Sequence, residues 1–197
     1  MKVSLLFSGG KDSSLSALLL EPFFDVELVT CTFGLTEAWR SAHEAASMLG
    51  FAHRVVALPH EILDGCTAML LEDGFPHNAI KFVHYRAVEH LVKNGAKLVA
   101  DGTRLNDRVP KLTYDELQSL EYRYGSCIIR PLMGYSKPAV MALVRRYFEI
   151  EENESDMIDK ADYETEIRHV IRERYGSEKV RELFPHHTQS RVILRKR

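Results

Sequence analysis

Val3-Ser4-Leu5-Leu6-Phe7-Ser8-Gly9-Gly10-Lys11-Asp12-Ser13-Ser14 is the stretch whose reading decides the fold. Val3 to Phe7 is a short apolar run that predicts a buried strand. Ser8-Gly9-Gly10 breaks it, and Asp12 to Leu20 reads as a helix with Leu15, Leu18 and Leu19 on one face. A glycine turn between a strand and a helix aims backbone N–H groups, and the positive end of the helix dipole, at one point. An anion fits there, and phosphate is the usual one. Two glycines let backbone approach it without a Cβ in the way. Two other phosphate loops are excluded by spacing. A Walker A loop needs glycine, four residues, then Gly-Lys-Ser/Thr. Here Asp12 follows Gly10-Lys11, and Leu5 stands where the first glycine would be. The Gly-x-Gly-x-x-Gly fingerprint is also absent.

Outward from this stretch, strands and helices alternate. Val26 to Phe33 predicts a second strand, and Thr36 to Leu49 a helix with Gly50 as its C-cap. His53 to Leu58 predicts a third strand, and Pro59 to Glu72 a helix stopped by Asp73-Gly74. Ile80, Val83, Ala87, Val88 and Leu91 form the apolar stripe of a helix with Asn78 as N-cap. Lys97 to Ala100 is a fourth strand and Cys127 to Leu132 a fifth. Between them Thr113-Tyr114-Asp115-Glu116 is a capping box. The pattern over residues 1–135 predicts an α/β fold: a Rossmann-like, five-stranded parallel sheet with helices on both faces. Residues 136–197 read as a helical C-terminal extension. Ser136 caps its first helix, Glu149 to Asp156 is a solvated acidic turn, and helices run from Ala161 to Tyr175 and from Ser177 to Phe184. The end, His186 to Arg197, is the clearly basic stretch; it touches RNA phosphates or is a plain basic terminus.

Composition bounds the function. The 197 residues are 45% hydrophobic and 27% charged, as in an ordinary soluble globular protein. A net charge of −2 gives no overall argument for a nucleic-acid protein, so any basic patch must be local. Cys31, Cys66 and Cys127 are odd in number, far apart and without a CxxC, which suggests neither zinc nor iron–sulfur and points to a reduced, cytoplasmic setting. The chain runs straight into its first strand with no room for a signal peptide, and no run approaches the ~18 apolar residues of a membrane span.

Ser8-Gly9-Gly10-Lys11-Asp12-Ser13 after an N-terminal strand resembles the PP-loop of the ATP pyrophosphatases, the adenine nucleotide alpha hydrolase-like superfamily. That group includes GMP, NAD and argininosuccinate synthetases and the tRNA thiolation and lysidine enzymes. The resemblance implies binding of ATP with Mg2+, cleavage between the α and β phosphates, and adenylation of a substrate. It implies that Lys11 and the amides of Gly9, Gly10 and Ser13 neutralise the pyrophosphate, that Ser8 and Ser13 supply hydroxyls, and that Asp12 holds magnesium. It also implies that Thr32 and Phe33, at the end of the second strand, read adenine.

Two further stretches extend the resemblance. Phe75 to Phe82 is similar to the segment of the tRNA 2-thiouridylases that ends in Ile-Lys-Phe, here Ile80-Lys81-Phe82. His77 stands about where their sulfur-carrying cysteine would be, which departs from persulfide-dependent thiolation. His77 is then a substrate contact, a general base, or a histidine without chemistry; Lys81 is a second cation for the triphosphate. Asp101 to Arg108 follows the fourth strand, where ligands of α/β sheets sit, and resembles the second family signature. Gly102 would pass close to the nucleotide and Thr103 bond ribose or phosphate. Asp107 would be a second magnesium ligand or a base, and Arg104 and Arg108 would hold phosphate. Arg130-Pro131-Leu132 also occurs in tRNA-modifying relatives, with Arg130 reaching substrate; Cys127 is the candidate for a second sulfur carrier, or is structural.

Three functions follow. The first is an ATP pyrophosphatase that adenylates a tRNA base, with sulfur or ammonia from a separate donor protein. The second is the same chemistry on a small metabolite, forming a carbon–nitrogen bond. The third is a non-catalytic ATP or AMP sensor. Relatives of this size often pair, so a homodimer is expected.

Overall fold

The computed structural model of the chain describes residues 1–154, 160–185 and 188–196. His186, His187 and Arg197 of the basic end, and the last residues of the acidic stretch, lie outside them. In chain order the elements are β1 (Lys2–Leu6), α1 (Lys11–Leu20), β2 (Asp25–Thr32), α2 (Trp39–Leu49), β3 (Ala52–Ala57), α3 (His60–Asp73) and α4 (His77–Lys93). Then follow β4 (Leu98–Ala100), α5 (Tyr114–Tyr124), β5 (Cys127–Ile129), α6 (Lys137–Tyr147), β6 (Phe148–Glu154), α7 (Tyr163–Tyr175), α8 (Ser177–Leu183) and β7 (Thr188–Arg195). Strands β1 to β5 form a parallel sheet in the order β3-β2-β1-β4-β5, the expected Rossmann-like arrangement.

Successive strand residues point to opposite faces, and the sequence fills both. Val3, Leu5 and Phe7 of the first strand join Val26, Leu28, Leu98 and Ala100 in a core covered by α1, α2 and α6. Leu6, Val29, Cys31 and Val99 face the other way, under α3, α4, α5, α7 and α8. The strands are apolar on both sides because both sides are buried. The C-terminal segment shares in both layers: Val140, Val144, Phe148 and Val192 belong to one core, Ile167, Val170, Ile171 and Phe184 to the other.

Some local expectations are corrected. Asn78 does not cap α4; Pro76 holds that position, and the Asn78 amide donates to Asp73 Oδ2 at 2.9 Å. The acidic stretch is not a turn. Phe148 to Glu154 form β6, paired antiparallel with β7, which is the basic end itself. Phe148 is 1% exposed and Ile150 packs beside it, so the acidic residues alternate with an inward apolar set. Across the pair Arg191 meets Glu151 at 3.3 Å. The basic end is therefore a strand docked on the loop after β1: Val192 N donates to Gly9 O at 3.1 Å. By contrast, the capping box forms as read, with Glu116 N donating to Thr113 Oγ1 and Thr113 N to Glu116 Oε2.

Candidate active site between β1 and β4

Strand order runs one way from β1 to β3 and the other way from β4 to β5, so the loops after β1 and β4 part company. Such a switch point opens a crevice beyond the carboxyl ends of the strands. A cavity of about 460 Å3 lies there. Ser8, Gly10, Lys11, Asp12 and Ser13 line it from the first loop, and Asp101 to Arg104 with Asp107 from the second. Lys160 to Glu164, Gln189 and Ser190 of the C-terminal segment form the facing wall.

The first loop is built by close packing. Gly9 has φ +78°, and a Cβ on it would lie 3.4 Å from Ala42 Cα of α2, so this glycine seats the turn against the neighbouring helix rather than in the cavity. Gly10 is the N-cap of α1 and offers no capping side chain, leaving the helix N-terminus open toward the crevice. Ser13 and Ser14 turn their hydroxyls back onto Gly10 O at 3.1 and 2.9 Å. A Cβ on Gly102 would meet Ser13 N at 2.9 Å and Asp12 C at 3.1 Å. The glycine after β4 thus lets the second loop press against the first turn of α1.

Charged groups converge on this point. Lys11 Nζ lies 3.2 Å from Ser190 Oγ and 3.7 Å from Asp12 Oδ2. Burial, with Lys160 and Arg104 nearby, holds its ammonium below the ordinary lysine range against the pull of Asp12. Arg104 Nε is 3.6 Å from Asp12 Oδ2, and Lys160 Nζ is 3.6 Å from Asp162 Oδ2. Asp12 Oδ1 and Arg104 Nε and Nη1 are buried with no hydrogen-bond partner. Asp107 gives one oxygen to Arg104 Nη2 and the other to Arg104 N at 2.7 Å. A magnesium ion bound through one carboxylate and phosphate oxygens therefore fits Asp12 but finds both oxygens of Asp107 engaged. Among the described residues no three His, Cys, Asp or Glu side chains group as a self-sufficient metal site.

Of the other candidates, Thr103 and His77 line the cavity. Thr103 N donates to Asp101 Oδ1 at 2.8 Å, and the His77 ring stands edge-on to Phe75 with centroids 4.6 Å apart. Lys81 is elsewhere, paired with Glu116 at 2.8 Å. Arg108 is exposed outside the cavity, and Arg130 Nη1 donates to Leu112 O at 2.9 Å. Thr32 and Phe33 are turned away: Thr32 Oγ1, Phe33 N and Leu35 N donate to the buried Glu166 carboxylate at 2.8, 2.7 and 2.9 Å. Cys31 is a buried wall of the cavity, its thiol pushed up to about 12 by burial, while Cys127 is exposed at the head of β5.

Sequence reading missed Lys160, Tyr163, His84, Ser190 and Glu166. His84 carried a signal, being a histidine on the apolar stripe of α4, four residues from Ile80. The others lie far along the chain, where spacing says nothing about the loop they face. Among the described residues no helix is long and apolar enough to cross a membrane.

A protein from Methanocaldococcus jannaschii described as uncharacterized is 42% identical over 194 residues, covering 98% of this chain and 96% of that one. A crystal structure from the same organism, described as a "predicted subunit of tRNA methyltransferase", superposes with a TM-score of 0.91 at 42% identity, over 100% of this chain and 98% of that one. The tRNA-specific 2-thiouridylase MnmA of Syntrophomonas wolfei is 28% identical over 206 residues; the match spans 90% of this chain and 61% of that enzyme. The family described as "Family of unknown function (DUF7411)" matches residues 1–194, and this chain belongs to it.

Proposed function

We propose that the chain binds ATP at the switch point, breaks it between the α and β phosphates, and adenylates a substrate, a base in tRNA being the best-supported acceptor. The observation that carries this reading is a set of buried polar atoms left without a hydrogen bond. Arg104 Nε and Nη1 and Asp12 Oδ1 make no hydrogen bond, beside an uncapped helix N-terminus and two lysines. Burying such groups is costly unless a ligand satisfies them. A polyphosphate answers the cations, and magnesium held by Asp12 and phosphate oxygens would neutralise developing charge. In this reading Lys11, Arg104 and the first-turn amides hold the leaving pyrophosphate, and Lys160 closes over it from the C-terminal segment. Residues 1–135 then form the nucleotide domain and residues 136–197 the wall that completes it. The apolar side of the cavity, with Phe7, Val29 and Phe184, suits a purine.

The tRNA acceptor is supported by the likeness to a tRNA 2-thiouridylase and by the description of the M. jannaschii crystal structure. Cys31 is buried and Cys127 stands outside the cavity, so a separate protein would supply sulfur or nitrogen. The test is a product assay with ATP and magnesium, with and without bulk tRNA. AMP and pyrophosphate are expected, stimulated by tRNA and lost in Asp12→Ala. ADP and phosphate would overturn the reading, and stimulation by small acceptors but not by tRNA would move it to a metabolite.

A further inference from the structure

Three cavity residues take no part in holding phosphate: His84 in the middle of α4, Asp101 just after β4, and Tyr163 at the start of α7. His84 Nε2 lies 3.1 Å from Asp101 Oδ2, and both residues are almost fully buried. The other Asp101 oxygen accepts the Thr103 N–H. Tyr163 Oη lies 3.5 Å from His84 Nδ1, its ring edge-on to the imidazole. A carboxylate only accepts, so His84 Nε2 carries the proton that faces Asp101, and Nδ1 faces the phenol.

Packing does not require this chain of polar groups. Ile80, Val83, Ala87 and Val88 surround His84 on the same stripe of α4 and are apolar. A buried ionic pair is often no more stabilising than apolar residues of the same volume. Its position against the cavity suggests chemistry instead. Burial keeps the Tyr163 hydroxyl well above its ordinary range, so it stays neutral. Burial opposes ionisation of Asp101 too, but the His84 contact and the Thr103 amide outweigh it and hold the carboxyl below its ordinary range. A neutral phenol, an imidazole and a fixed carboxylate stand in line.

We propose that Tyr163, His84 and Asp101 form a relay that accepts the proton lost by the acceptor group as it attacks the α-phosphate of ATP. The proposal rests on the adenylation reading above. The acceptor oxygen bonds to the α-phosphorus, and the bond to the bridging oxygen breaks with its electron pair leaving on pyrophosphate. The acceptor's proton passes to Tyr163 Oη as the phenol proton passes to His84 Nδ1, and Asp101 holds the resulting imidazolium. Tyr163 is the catalytic residue; His84 and Asp101 position and charge it. The relay narrows the substrate class. It serves an acceptor that must lose a proton to attack, such as a hydroxyl or a lactam whose N–H proton leaves as its oxygen attacks. A carboxylate acceptor needs no such base.

The test follows single-turnover AMP formation from radiolabelled ATP with magnesium and bulk tRNA, beside ATP affinity by equilibrium dialysis. Tyr163→Phe and His84→Gln should slow the chemical step about 100-fold or more while leaving ATP affinity unchanged. A merely structural pair would lower both, or only the melting temperature. Wild-type AMP formation with an undiminished rate in Tyr163→Phe would overturn the relay and leave the adenylation reading standing. No AMP from the wild type with any acceptor would overturn both. A variant that fails to fold leaves a direct measurement, nitrogen NMR of histidine-labelled wild-type protein. It should contain an imidazole protonated on Nε2 with a hydrogen-bonded, unprotonated Nδ1, assigned to His84 through its contact with the Tyr163 ring. The opposite tautomer at that position would overturn the relay.

Discussion

Two ends of the same sheet have opposite fates. At the end of β2, Thr32 Oγ1, Phe33 N and Leu35 N all find the carboxylate of Glu166, which α7 delivers from 131 to 134 residues away in sequence. At the ends of β1 and β4, Asp12 Oδ1 and Arg104 Nε and Nη1 find no hydrogen-bond partner. Both places have the backbone geometry that invites a ligand. One has been closed from within the chain and the other left open. Strand-end position therefore marks where a ligand can bind, but only the inventory of unsatisfied groups says where one is awaited.

The largest effect should come from opening the closed end. Glu166→Ala leaves two backbone N–H groups and a hydroxyl buried without their acceptor, and should cost about 3–5 kcal/mol of unfolding free energy in urea titration. A cost below 1 kcal/mol would mean that water replaces the carboxylate and the two ends are alike. The open end should respond the other way. Asp12→Ala removes one unbonded oxygen together with two loose ion-pair contacts, so stability should change by less than about 1 kcal/mol while AMP formation falls about 100-fold or more. Stability loss as large as that of Glu166→Ala would erase the contrast.

Two glycines sharpen the picture at smaller scale. Gly102→Ala drives a Cβ into the backbone of Asp12 and Ser13, which cannot yield cheaply, and should cost about 1–3 kcal/mol. At Gly10 the same change meets Lys160 Cε at 3.0 Å, the far end of a flexible side chain. Gly10→Ala should therefore change stability by less than about 1 kcal/mol while weakening ATP binding. The last effect is one of pH, on the closed side. Burial, and then His43, hold His53 down to about 4, from 6.5. The unfolded chain takes up this proton below 6.5 and the folded one does not, so its contribution is complete above 6.5 and lost as pH falls toward 4. Urea midpoints at a series of pH values should fall over that window, and His53→Gln should flatten the fall.

The parallel sheet was legible in the sequence because local rules decide it. Apolar runs, glycine stops and 3.6-residue stripes marked each strand and helix of the sheet domain to within a few residues. The extension was less legible. Phe148 and Ile150 alternate with glutamates in a period-2 signal, but charge drew the stretch toward a turn; its partners in Thr188–Arg195 lie 34 to 47 residues further on. Ser8 to Ser13 and Asp101 to Asp107 were legible as one site because chain order and strand direction bring them to the same sheet end. Lys81, Thr32 and Phe33 lie off the cavity, where a helix partner and a distant carboxylate take up their polar groups.

The sequence by itself determined the strand–loop–helix that makes an anion cradle, and the alternation that makes a parallel sheet, since both depend on neighbours in the chain. Tertiary structure decided the rest. It chose which charges remain unpaired, brought Lys160, Tyr163 and Ser190 to the first loop, aligned His84 with Asp101, and sealed the end of β2 with Glu166. Those outcomes depend on contacts between residues far apart in sequence, and no local pattern encodes which distant side chain arrives to satisfy a buried group.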